Sequence, residues 1–287
     1  MKILLVNKYL YRKGGAETYF IKLGEYLKSL GNEVEYFGMA DERNCVENRV
    51  EAYTENIDFH KKSLKHITYP FKIIYSVNAR KQIRKVLSDF KPDVVHLNNF
   101  NYQLTPSIIY EIKKHNIPIV YTAHDVQLVC PNHKLKNDYT DGLCRKCDGG
   151  KYFECVKNNC VHSSKIRSIL GAVEAWYYKL RHTYKMIDLT VCPSEFMEKE
   201  ISRNDDINGR TVTMYNFIDE IKPLGAECEN YVLYFGRYSE EKGISNLVKA
   251  AKKLSNIPFV FAGKGELENE VNSADNIKNV GFKTGDE

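Results

Sequence analysis

The sequence predicts an α/β protein of parallel sheets with covering helices, arranged as two units of unequal length. Short apolar runs of strand length alternate with helix-periodic segments along nearly the whole chain, which is the pattern of repeated βα units. The rhythm pauses once, over residues 216–230, where Pro223, Gly225 and several charges stand without periodicity. At 287 residues, 43% hydrophobic and 28% charged, the chain has the length and composition for two cores. The predicted organisation is a first unit over 1–215, a linker over 216–230 and a second unit over 231–287. That second unit is short against the about 100–200 residues usual for one domain.

Each element has its own signal. Residues 3–6 are a continuous apolar strand. Residues 17–30 place Tyr19, Leu23, Tyr26, Leu27 and Leu30 on one predicted helical stripe that stops at Gly31, a good C-terminal cap. Strands follow at 33–37, at 93–97 after Pro92, at 117–122 and at 189–192. Helices are expected around 106–115 and over 168–185. The second unit reads as strand 231–235, helix 245–254, strand 258–262, a short helix near 267–271 and strand 279–281.

The bulk features exclude several classes. No apolar run approaches the length of about 20 residues that spans a membrane. The apolar N-terminus is too short for a signal-peptide core and lacks a small-residue cleavage site, which favours the cytoplasm. A net charge of +5 is mild and no nucleic-acid motif is visible, so nucleic acid is not an expected partner. Basic residues concentrate over 61–91, with Lys61, Lys62, Lys65, Arg80, Lys81, Arg84 and Lys85 interleaved with Ile67, Phe71, Ile83, Val86 and Leu87. Such a stretch is either a solvated helix face or a surface for peripheral association with the inner face of an anionic membrane.

The most informative motif is Gly236-Arg237, followed five residues later by Lys242-Gly243, between an apolar strand and an amphipathic helix. Free N–H groups and the helix dipole favour an anion there, and two flanking cations suit a diphosphate. In the first unit Gly14-Gly15-Ala16-Glu17 opens a helix after strand one. Paired glycines allow close ligand approach and positive φ. The spacing is not G-x-G-x-x-G, which disfavours a dinucleotide-dependent oxidoreductase. His124-Asp125 and Asn98-Asn99 end strands, the edge where open α/β sheets bind ligands. Ser194 is a helix N-cap candidate as well as a ligand contact. Gly263 and Gly265 form a strand-end glycine turn.

Residues 126–165 hold Cys144, Cys147, Cys155 and Cys160, with Cys130, His133 and His162 nearby. A loop this long needs a source of order. Four thiolates at these spacings would close a structural zinc site with no open position for catalysis; reduced thiols and disulfides are the alternatives.

Taken together, these motifs resemble retaining GT-B glycosyltransferases of the group 1, family 4 kind. The resemblance runs from Gly14 to Gly281 and rests on the G-R-x-x-x-x-K-G signature, the G-G-x-E loop, the strand-end His124, the Asn216-Phe217-Ile218-Asp219 segment and the A-G-x-G loop. A subset of the family carries a similar cysteine-rich insertion. The resemblance implies a GT-B fold of two Rossmann-like domains facing a cleft, the second incomplete in this chain. It implies transfer of a hexose from a UDP- or GDP-linked sugar to a saccharide or lipid-linked saccharide acceptor, with retention and without a catalytic metal, in cell-surface polysaccharide synthesis. By position, Arg237, Lys242 and His124 take the catalytic roles. Gly14, Gly15, Glu17, Asn98, Asp125, Ser194, Gly263 and Gly265 take donor and acceptor contacts. The family's later Glu-x7-Glu motif has no counterpart after residue 229, so a catalytically silent fragment or binding protein remains the alternative.

Overall fold

The computed structural model describes residues 1–56, 69–137, 142–218 and 229–283, without the side chains of residues 69–71. The chain divides into two compact units, Met1–Ile218 and Asp219–Glu287.

The first unit is a parallel six-stranded sheet: β1 (Lys2–Val6), β2 (Glu33–Phe37), β3 (Val94–Leu97), β4 (Ile119–Thr122), β5 (Leu189–Cys192) and β6 (Thr211–Thr213), in the order β2-β1-β3-β4-β5-β6. Alternation along β1 explains its burial on both faces. Ile3 and Leu5 pack with Phe20 and Ile21 of helix α1 (Gly15–Ser29), whereas Leu4 and Val6 pack on the opposite face. That second face carries α3 (Val77–Phe90) and α4 (Ser107–Lys114), whose Ile83, Val86, Leu87, Ile108, Ile109 and Ile112 join the larger core. The short α2 (Tyr69–Ile74) precedes α3.

Several expectations shift. The stripe foreseen on α1 is partly mis-phased: Phe20, Ile21 and Gly24 are buried and Leu23 and Leu27 pack against the same core, while Tyr26 and Leu30 are exposed. Gly24 is the reason the helix sits so close, because a Cβ there would lie 2.2 Å from the Tyr36 hydroxyl. Strand β6 was not foreseen, whereas the helix that Ser194 was expected to cap is present as α7 (Glu195–Ile201). The basic stretch is also corrected where it is described. Ala79, Ile83, Val86, Leu87 and Phe90 are core residues, so the apolar face of α3 is occupied by the protein itself. Arg80 and Arg84 converge on buried Glu111 of α4 at 2.8 and 2.6 Å and hold its carboxyl down to about 2. Residues 57–68, the rest of that stretch, lie outside the described residues. Among the described residues no helix is long and apolar enough to cross a membrane.

The region after β4 is less of a loop than expected. It contains α5 (Phe153–Lys157) and leads into α6 (Lys165–Leu180), capped by the Ser164 side chain. Arg145 forms an ion pair with the fully buried Glu200 of α7, and Trp176 Nε1 donates to the Gly150 carbonyl at 2.9 Å.

The second unit is a parallel sheet of β7 (Val232–Phe235), β8 (Phe259–Ala262) and β9 (Ile277–Gly281) in that order. Helices α8 (Ile244–Lys253) and α9 (Glu268–Val271) cover one face, around Tyr238, Val248, Ala251, Phe259, Phe261 and Val271.

Candidate functional site

Strand order places the first cluster. The sheet reverses direction of growth between β1 and β3, and ligands of open α/β sheets bind at the C-terminal ends of strands flanking such a reversal. The chain leaves β1 as Asn7-Lys8 and β3 as Asn98-Asn99, and the two exits are laced together. Lys8 N–H donates to the Asn99 carbonyl at 2.7 Å, and Asn99 N–H donates to Asn7 Oδ1 at 2.9 Å.

His124 leaves β4 beside them. Its Nε2 lies 2.9 Å from Asn98 Oδ1, and the edge of Tyr19 packs on its ring at 5.3 Å. Burial pushes His124 down to about 4, opposed by Asp125, so the imidazole is neutral near pH 7 and its Nε2–H donates to Asn98. Asn98 is fully buried, and its Nδ2 has no hydrogen-bond partner among the described residues. Beneath this pair, His96 Nε2 meets Thr122 Oγ1 at 2.7 Å, and burial drives that ring down to about 4 as well.

Asp125 belongs to a second polar chain. Its Oδ1 accepts the Gln127 N–H at 2.9 Å, and its Oδ2 lies 3.3 Å from His133 Nδ1 and 3.5 Å from Asn101 Nδ2. Lys8 Nζ donates to Asn101 Oδ1 at 2.7 Å, and burial lowers its pKa against the pull of Asp125 and Glu17. The Tyr102 ring stacks on His133 at 5.5 Å and 8°, with both residues in the left-handed region, at φ 63° and 62°. Non-glycine residues held there cluster at functional sites. Lys8, Asn101 and His133 were not assigned to this edge from sequence. Strand order, which no local pattern reveals, brings them to it; Lys8 alone was findable, by applying the strand-end rule to β1.

Gly14 and Gly15 begin α1 at the same sheet edge. The expectation of positive φ fails: Gly14 is extended at φ −165°, and neither residue is among those with positive φ. A Cβ on Gly15 would meet nothing within 4 Å, so the space over this helix start is open. Glu17 is buried in the first turn. Ser194 caps α7, its Oγ accepting the Met197 N–H at 3.2 Å, which gives it a structural role.

In the second unit Gly236 takes φ 147°, Arg237 and Lys242 are both exposed, and Gly243 takes φ 72° immediately before α8. No side chain caps α8, so its first N–H groups remain available. Gly263 and Gly265, expected to let a nucleotide approach, have an internal packing reason as well. A Cβ on Gly263 would lie 1.9 Å from the Gly236 carbonyl oxygen, and one on Gly265 2.2 Å from that of Tyr238. The glycine loop is the floor on which the Arg237 turn rests, tied by Gly236 N–H to Ala262 O and Tyr238 N–H to Lys264 O, each at 2.9 Å.

The four predicted zinc cysteines gather around one small cavity, and Cys130, left out of that set, lines it with them. No three His, Cys, Asp or Glu side chains among the described residues stand ready-made as a metal site.

Comparison with known proteins identifies the family and the fold. The model of glycosyltransferase family 4 matches residues 13–221, and that of glycosyl transferases group 1 matches residues 217–286. The chain belongs to glycosyltransferase family 4. An uncharacterised 42.6 kDa protein in the cps region of Klebsiella pneumoniae is 25% identical over 280 residues, covering 92% of this chain and 68% of that protein. Among solved structures, Anabaena HepE in complex with UDP and glucose is similar at TM-score 0.56 and 15% identity, over 99% of this chain and 70% of its own. Sucrose-phosphate synthase from Thermosynechococcus elongatus is similar at TM-score 0.62 and 14% identity, over 98% and 70%. The family 4 glycosyltransferase thus has the α/β character of the GT-B fold, with a small second unit.

Proposed function

We propose that this glycosyltransferase moves a hexose from a UDP-linked sugar to a saccharide or lipid-linked saccharide acceptor, with retention of anomeric configuration, in cell-surface polysaccharide synthesis. The observation that carries the reading is the turn at Arg237 and Lys242. Two exposed cations flank a strand-to-helix turn that ends at an uncapped helix start, which is a diphosphate site by charge and by available N–H donors. As the glycosidic bond breaks, negative charge grows on the leaving diphosphate. Cations and N–H groups fixed there stabilise the transition state more than the ground state. The bound UDP in HepE supports the choice of base, and the cps-region relative supports the polysaccharide setting.

The strand-end cluster of the first unit takes the sugar hydroxyls in this reading. Neutral His124 presents its Nδ1 as an acceptor once Nε2–H is committed to Asn98, and Lys8, Asn101 and Asp125 form a polar lining beside it. No catalytic metal and no protein nucleophile are assigned.

Calorimetry of the full chain with UDP and GDP tests the donor site. UDP should bind more tightly than GDP, and Arg237→Ala should weaken UDP by at least about tenfold, the equivalent of about 1.4 kcal/mol. Absence of binding by either nucleotide, or an Arg237→Ala titration that overlays the parent, removes the assignment.

A further inference from the structure

Helix α6 leaves a stripe of large apolar side chains in solvent. Ile166 is 73% and Leu180 79% exposed, and Ile169, Val173 and Trp176 between them are exposed as well. At about 100° per residue the five fall within an arc of about 80° on one side of the helix. Another side is anchored. Ser168, Ala172 and Tyr178 are buried, Ser164 caps the first turn, and Ser168 Oγ accepts the Val161 N–H at 3.0 Å. The helix therefore cannot roll to hide the stripe. Single exposed apolar residues are ordinary, whereas a contiguous row of five marks an interaction surface.

Charge decides which partner fits. Residues 142–181, which hold α5 and α6, contain eight Lys or Arg against three Asp or Glu. That excess of five equals the net charge of the whole chain, whose 42 basic and 37 acidic residues reduce to 34 of each elsewhere. Lys165 and Arg167 stand at the start of α6, and Lys179 and Arg181 at its end. Of the eight, Arg145 is the one that pairs with a carboxylate among the described residues, that of Glu200. The single carboxylate on α6, Glu174, interacts with His133, away from the stripe.

The spacing i, i+3, i+7, i+10, i+14 would also suit a seam with a second copy of the chain. A two-fold pairing there would bring two such positive excesses together, which repel, whereas an anionic bilayer attracts each. Length sets the mode. The 16 residues of α6 rise about 24 Å, short of the hydrocarbon core of about 30 Å, so the helix lies along a bilayer and does not cross it. Trp176 suits that boundary, because its Nε1 already donates to the Gly150 carbonyl at 2.9 Å and its ring can leave water.

We infer that α6 is an interfacial docking helix. Ile166, Ile169, Val173, Trp176 and Leu180 enter the acyl boundary of an anionic phospholipid bilayer, and the Lys and Arg at the helix ends meet its headgroup phosphates. This face is distinct from the basic stretch over 61–91, whose apolar side in α3 is taken up by the core.

Trp176 is the single tryptophan of the chain and reports on its own insertion. The full chain should float with vesicles of equal parts phosphatidylcholine and phosphatidylglycerol, and not with phosphatidylcholine alone. Its tryptophan emission should shift to the blue and be quenched by lipids brominated on the acyl chains. Ile166→Glu and Leu180→Glu should each weaken vesicle binding at least about tenfold while keeping the parent's urea midpoint, since both sites are exposed. Lys165→Glu should weaken it too and flatten its salt dependence. Leu30→Glu, at an exposed apolar position on α1, should bind as the parent does. Absence of binding, equal binding to both vesicles, or bound protein whose tryptophan is not quenched overturns the inference. So does a dimer that Leu180→Glu converts to a monomer in a parent that binds no vesicle.

Discussion

Replacing Gly263 by Ala should damage the second unit far more than one methyl group suggests. The added Cβ would lie 1.9 Å from the Gly236 carbonyl oxygen and 2.9 Å from Tyr238 Cε1. Ordinary contact begins at 3.4 Å, so the two segments must part by about 1.5 Å (3.4 − 1.9). The close contact is with backbone, which no rotamer change relieves. Overpacking of this kind costs about 1–3 kcal/mol. Parting also strains the Gly236 N–H bond to Ala262 at 2.9 Å and the Gly263 N–H bond to Gly281 at 2.8 Å, each worth about 1 kcal/mol. A total near 3 kcal/mol follows, roughly a 150-fold change in the local opening equilibrium. The only tryptophan, Trp176, lies in the first unit, so hydrogen exchange of peptides over β7 and β8 is the suitable assay. Gly15→Ala is the control, because its Cβ meets nothing within 4 Å and its exchange should match the parent. Exchange in β7 and β8 that is unchanged in Gly263→Ala to within about 0.5 kcal/mol would refute the packing account.

The first unit offers two further expectations. Glu111→Ala removes the shared partner of Arg80 and Arg84 and should destabilise the unit by about 3–5 kcal/mol in urea unfolding, with most of the cost from the half-buried Arg80 left unpaired. Stability should also depend on pH through three partly buried groups. His96 and His124 are pushed down to about 4 from 6.5, so the unfolded chain binds two more protons between those values and stability is lost as pH falls through the window. Glu174 is pushed up to about 7 by burial, so the folded chain holds one extra proton between about 4.5 and 7 and opposes the trend. The net difference of one proton predicts a loss of about 1.4 kcal/mol per unit as pH falls from 6.5 to 5. Glu174→Gln should double that slope in denaturant titrations, and a flat profile in both proteins contradicts the assigned burial of the imidazoles.

What the sequence determined by itself is what lies within one strand, one turn or one helix. Apolar runs marked β1, which is buried on both faces and so needs apolar residues at consecutive positions, and they marked β7 as well, although Leu233 and Phe235 are exposed there. The spacing of Arg237, Lys242 and Gly243 marked a strand-to-helix turn because positive φ and a free helix start are local requirements. Tertiary structure decided everything that depends on close approach between distant segments. Strand order set β1 beside β3, and that alone brought Lys8, Asn101 and His133 to the edge where His124 and Asp125 were expected. The phase of α1 turned on how near Gly24 lets it come to Tyr36. For Gly263 and Gly265, read as ligand contacts, the carbonyls of Gly236 and Tyr238 supplied a further reason inside the protein. Cys130 joined the other thiols because a chain that turns back on itself sets neighbours by distance in space, which spacing along the sequence does not encode.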